Sequence, residues 1–186
     1  LFESCKDLLE ANNLKIIDVA FNNINGGSFS VIAGHKNSKH IPNNAVINWI
    51  LTKEYKLNLH TPTPYREFEH KAYQHKNDLM ELIQSLNSNG KRIAGYGAST
   101  KGNVILQFCN ISANDIFGIA EVNPDKFGKL TPVTNIPINS ENAIKDEKPD
   151  YLLVLPWHFR ENIITREQEF IRNGGKLIFP LPEIEI

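Results

Sequence analysis

The chain has 186 residues, 41% of them hydrophobic and 22% charged, with a formal net charge of −1. These values describe a globular chain long enough for one ordinary domain and a smaller appendage. They exclude a disordered segment and the broad basic field of a nucleic-acid binder, and no apolar run approaches the ~18 residues of a membrane span.

Phe2 to Asn13 reads as a helix, with Phe2, Cys5, Leu8 and Leu9 on one face. Lys15 to Phe21 is a strand, Asn22 to Gly27 a polar hairpin connection, and Ser28 to Gly34 the return strand. Asn25-Gly26-Gly27-Ser28 has the composition of an ordinary turn. This helix and hairpin are too small to bury much core alone, so residues 1–40 read as the tail of an upstream domain. The chain starts at Leu1 without initiator Met or signal pattern, which suggests a piece of a longer protein. Cys5 and Cys109 lie far apart without metal-ligand spacing, so reduced thiols in a cytoplasmic protein are expected.

Residues 41–90 read as a helical connector. Ala45 to Leu57 places Val46, Ile47, Ile50 and Leu51 on one face. His60-Thr61-Pro62-Thr63-Pro64 breaks the pattern. Tyr65 to Asn87 resumes it with Phe68, Ala72, Leu79, Leu82, Ile83 and Leu86 at three-four spacing. His75 falls on that stripe and reads as a satisfied, partly buried side chain. Gly90 suits a left-handed cap.

Residues 91–186 read as a domain of alternating strands and helices. A strand from Arg92 to Tyr96 feeds a tight turn, Gly97 to Thr100, and a helix opening near Lys101. Asp115 to Glu121 is a second strand. Asn135 to Ile138 is a short strand or crossover, and Ser140 caps a brief helix to Glu147. Asp150 to Leu155 is a further apolar strand, Arg160 to Asn173 a helix, and Lys176 to Pro180 the final strand. The alternation predicts an α/β fold. It is a Rossmann-like, mostly parallel sheet with helices on both faces, preceded by the small helix-strand-strand segment.

The turn after the first of these strands is the candidate site. A helix start presents backbone N–H groups and the positive end of the macrodipole, which suit an anion. Gly95 and Gly97 permit close backbone approach, Gly102 lets the helix pack on the sheet, Ser99 or Thr100 can cap it, and Lys101 adds charge. The spacing G-x-G-x-x-x-x-G is neither the dinucleotide fingerprint nor a P-loop, and the same residues also suit a plain strand-helix turn. Glu121, at the end of the next strand, is either an acceptor for a ribose hydroxyl or a turn carboxylate. Trp157 and His158 follow the third strand and project toward the same edge.

Together these residues resemble a known family. Gly95-Tyr96-Gly97-Ala98-Ser99-Thr100-Lys101-Gly102-Asn103 resembles the G-Y-G-A-x-x-K-G-N signature of the C-terminal domain of sugar C-methyltransferases. Glu121 to Gly128 is similar to the family's D-x-x-P-x-K-x-G segment. Thr131-Pro132 with Ile136-Pro137-Ile138 is similar to its crossover, Leu155 to Phe159 to its A-W-H-F element, and Gly174 to Pro182 to its ending. Gly26 to Val31 resembles the strand that closes the family's catalytic domain. Departures are Glu121 for Asp, Val133 for Gly, Asn25 for His and Ser30 for Arg.

The resemblance implies methyl transfer from S-adenosylmethionine to a carbon of a nucleotide-linked keto-deoxysugar. It implies that the methyl donor, a zinc site and the catalytic base belong to an upstream domain of the same protein. The present domain would bind and orient the nucleotide-diphosphate sugar. Backbone N–H groups of Ala98 to Gly102, with Ser99 and Lys101, would meet the diphosphate. Asn103 and Glu121 would bind polar groups, Trp157 would stack on a ring, and His158 would hydrogen-bond it. Two other readings stand beside this one: a nicotinamide-dependent oxidoreductase domain, and a non-catalytic docking module on a borrowed fold.

Overall fold

The computed structural model describes residues 1–23 and 27–186, so the Asn25-Gly26 part of the expected turn lies outside the described residues. The chain divides into two compact units, Leu1–Lys71 and Ala72–Ile186.

In the first unit, α1 (Phe2–Ala11) precedes an antiparallel pair, β1 (Leu14–Asn22) and β2 (Ser28–His35), with a bulge between Ile16 and Asp18. Helix α2 (Asn44–Lys56) follows, capped by the Asn43 side chain. The Leu1 side chain cannot cap α1. Glu54 of α2 does so instead, accepting from the Phe2 and Glu3 N–H groups at 2.7 and 3.0 Å. Phe2, Ile16, Val19, Ile47 and Ile50 form the core. Leu8 points to solvent, against its expected place on the apolar face of α1.

The division between the units falls within α3 (Thr63–Ser88). Leu79 and Ile83 of its expected stripe are buried, whereas Phe68 is exposed. His75 is half-buried as expected, but its Nε2 finds no hydrogen-bond partner among the described residues.

The second unit holds a five-stranded sheet in which every pairing is parallel. Its strands are β3 (Ile93–Tyr96), β4 (Ile119–Glu121), β5 (Ile138–Ser140), β6 (Tyr151–Val154) and β7 (Lys176–Ile178), in the order β5-β4-β3-β6-β7. The intervening helices are α4 (Thr100–Cys109), α5 (Glu141–Asp146), α6 (Arg160–Arg166) and α7 (Gln168–Arg172).

Alternate strand residues enter two cores. Ile93, Ile119, Ile138, Leu153 and Ile178 pack with Leu79, Ile83, Ile105 and Leu106 of α3 and α4. Ala94, Tyr96, Ala120, Leu152, Val154 and Leu177 pack with Ile144 of α5 and Ile163 of α6. The result is the expected Rossmann-like sandwich, with its topological switch between β3 and β6.

Three elements differ from the sequence pattern, the first being the strand expected over Asn135 to Ile138, which runs instead over Ile138–Ser140 as β5. The expected strand from Asp115 shortens to β4, because Asp115 Oδ2 accepts from both the N–H and the hydroxyl of Ser112 at 2.8 Å and winds the chain into a turn. The expected helix Arg160 to Asn173 breaks at Glu167, whose ψ of 19° leaves the helix and whose carboxylate turns inward.

Candidate functional site

A cleft of about 670 Å³ opens beyond the carboxyl ends of β3, β4 and β6, where the strand order reverses. Ligands of open α/β sheets sit at such points.

One wall is the turn leaving β3. Gly97 has a φ of +78°, and a Cβ there would stand 2.8 Å from Pro156 Cγ. A Cβ on Gly102 would come within 2.5 Å of Leu155 Cβ, so α4 lies directly on the chain leaving β6. A Cβ on Gly95 would meet Ile119 at 2.9 Å. The three glycines therefore serve close packing of the protein on itself. Ser99 caps α4, its Oγ accepting from the Gly102 N–H at 2.9 Å.

Glu121 decides how many donors the turn keeps. Its carboxylate, 7% exposed, accepts from Val122 N–H at 2.8 Å and Asn123 N–H at 3.0 Å on Oε1. Oε2 accepts from Ala98 N–H and Lys126 Nζ, each at 3.0 Å. Lys126 also donates to the Ala98 carbonyl at 2.8 Å. Burial by itself would raise the Glu121 pKa. The donors from Asn123, Lys126 and Val122 outweigh it and hold the group below the usual carboxylate value. Four donors fill the four acceptor positions of a carboxylate. Of the Ala98 to Gly102 N–H groups, those of Ala98 and Gly102 are consumed inside the protein. Those of Ser99 and Thr100 stand at the cleft and have no acceptor among the described residues.

The facing wall is α6 and the turn before it. Phe159, Asn162, Ile163 and Arg166 line the cleft at helical spacing. Arg166 pairs with Glu141 Oε2 at 2.5 Å. Tyr96, whose backbone ends β3, donates its hydroxyl to buried Glu167 Oε1 at 2.9 Å. Lys145 Nζ lies 2.7 Å from Glu167 Oε2, but off the angle of a hydrogen bond, so that contact is ionic. Burial, then the bond and charge of Glu167, push the Tyr96 phenol far above its ordinary range, so it is a permanent donor.

Two comparisons bear on this arrangement. Residues 23–182 match the family described as the C-methyltransferase C-terminal domain. The C-methyltransferase NovU of Streptomyces niveus is 34% identical over 176 residues, which cover 95% of this chain and 42% of that protein. The chain belongs to the C-methyltransferase C-terminal domain family.

Within this C-methyltransferase domain, the cleft brings together Tyr96, Gly97, Ala98, Ser99, Asn103 and Glu121 of the residues singled out in the sequence. Gly95, Lys101, Gly102, Trp157 and His158 lie outside its lining. Trp157 is half-buried and packs against the cores on both faces of the sheet. His158 is exposed, 4.2 Å from the Phe159 ring between centroids, and partial desolvation with the nearby Lys101 charge lowers its pKa. The sequence reading missed Lys126, Glu141, Phe159, Asn162 and Arg166. The one signal for the α6 group was the spacing 159, 162, 163, 166. Val133, where the family has Gly, adopts a φ of +69°, the left-handed region that explains a glycine preference there.

In this cleft of the C-methyltransferase domain, Glu121 is not open to the ribose of S-adenosylmethionine. The carboxylate placed to receive a ribose is saturated by the protein's own donors. The same saturation removes the ribose anchor of a nicotinamide dinucleotide. The zinc implied by the resemblance finds no support in either match, and no cluster of metal-ligating side chains occurs among the described residues. Among the described residues, no helix is long and apolar enough to cross a membrane.

Proposed function

We propose that this chain is the substrate-holding part of a S-adenosylmethionine-dependent C-methyltransferase, and that its cleft grips a nucleotide-linked keto-deoxysugar. The observation that carries the reading is the open pair of N–H groups, Ser99 and Thr100, at a capped helix start inside a cleft at the switch point. Dipole and donors favour a diphosphate. Asn103 and Lys126 line the same space and offer polar contacts. The chain spans less than half of its curated relative. Methyl donor and catalytic base accordingly belong to an upstream domain of a cytoplasmic parent protein, for which residues 1–40 are the tail and 41–90 the connector. What this chain contributes is orientation, a term that can lower a barrier by several kcal/mol.

Calorimetry with a thymidine-diphosphate sugar, NAD and S-adenosylmethionine tests the reading. Only the sugar nucleotide is expected to bind. Binding of NAD alone would point to an oxidoreductase, and binding of none to a docking module. Lys101→Ala removes a positive charge from the first turn of α4 and should weaken sugar-nucleotide binding a few-fold, with little change in melting temperature. Unchanged affinity would take Lys101 out of the site.

A further inference from the structure

We propose that α6 and the turn before it form the base-recognition part of the cleft: Phe159 stacks on the nucleobase and the Asn162 amide hydrogen-bonds its edge. The proposal rests on the nucleotide-sugar reading above and names which part of the ligand meets which wall.

Four observations carry it. First, the two walls differ in chemistry. The β3–α4 turn offers N–H groups, with Lys126 beside it from the turn after β4, and these suit an anion, whereas Phe159 and Asn162 carry no charge and the Arg166 of their wall is already paired with Glu141. Second, Phe159 is 54% exposed although it lines a concave site and its ring lies 4.2 Å from that of His158, so ring surface beyond that contact remains accessible to a planar partner. Third, the Asn162 side chain is exposed and has no hydrogen-bond partner among the described residues. A primary amide presents a donor beside an acceptor, and the hydrogen-bonding edge of a nucleobase does the same. Fourth, the wall is held at its far end. Buried Ile163 packs into the core beneath α6, Arg166 is tied to Glu141, and Glu167 is tied to Tyr96. Open side chains on an anchored helix are preorganised for a ligand.

A hexose face can also lie on an aromatic ring, so the test separates base from sugar. Calorimetry would measure thymidine diphosphate and thymidine-diphosphate glucose against wild type, Phe159→Ala, Asn162→Ala and the control Thr165→Ala, with thermal melts to confirm folding. Each of the first two variants should weaken thymidine diphosphate by roughly tenfold, and thymidine-diphosphate glucose by the same factor. Thr165→Ala should change neither. If the variants weaken only the glucose conjugate, or bind thymidine diphosphate like wild type, the base assignment is overturned while the nucleotide-sugar reading stands. If wild type binds neither probe, that reading fails and this one with it.

Discussion

The two walls of the cleft are built on opposite principles. The turn wall is dense with signature residues, yet most of them are spent on the protein itself. Its glycines sit against Pro156, Leu155 and Ile119, and its acid is saturated by Ala98, Val122, Asn123 and Lys126. The α6 wall carries fewer of the residues singled out, yet its Phe159 and Asn162 are open to a ligand. Sequence signatures mark where backbone geometry is demanding. Contact residues are under no such constraint and leave a weaker trace.

The comparison predicts different failures on the two sides. The largest effect belongs to Gly102→Val. Its Cβ would collide with Leu155 Cβ, backbone-proximal on both sides, so neither element can yield cheaply. A loss of about 3 kcal/mol is expected, visible as a fall in melting temperature. A variant as stable as wild type would show that α4 does not need this contact.

Next comes Glu121→Gln. The amide turns a donor toward donors, and a loss of about 2 kcal/mol is expected. The sign of its pH dependence follows from the lowered pKa. The folded protein binds the Glu121 proton less readily than the unfolded chain, so this stabilisation is present above the ordinary value of 4.5 and is lost as pH falls through the lower folded value. Asp150, held low mainly by the Arg92 N–H and then by Lys91, adds a similar acid-range loss. Melts of wild type against Glu121→Gln from pH 7 downward should therefore converge below pH 4.5. A constant gap would mean that the carboxylate charge is not what clamps the turn.

The smallest effect should be Tyr96→Phe, which removes the hydroxyl bond to Glu167 and is expected to cost about 1.5 kcal/mol, the low end for a charged acceptor because Lys145 stays beside the carboxylate. It sharpens the contrast, because it touches only the anchor of α6. Hydrogen exchange should rise in α6 and α7 and remain unchanged in α4. Equal loosening of both walls would mean that they are one cooperative unit.

How much of this was readable beforehand follows from the range of each interaction. The parallel sheet, the capped helix start and the family were legible, because alternation, a Ser before a helix and a glycine signature are local patterns. The role of Glu121 was open between ligand acceptor and turn carboxylate, since its donors come from residues 98 to 126 and meet only in the fold. The break in the helix from Arg160 escaped notice because Arg166-Glu167-Gln168 is good helical sequence. The buried Tyr96 hydroxyl, seventy-one residues away in sequence, and the Lys145 ammonium draw Glu167 inward.

By itself the amino-acid order determined the class of fold, the position of the helix start and the family to which the chain belongs, since each is written in periodicity or in short runs of backbone-critical residues. Tertiary structure alone decided which of the turn's donors remain open and which side chains complete the cleft. Those outcomes depend on competition: every internal acceptor that reaches an N–H group first removes it from a ligand, and that contest is settled only when distant strands meet.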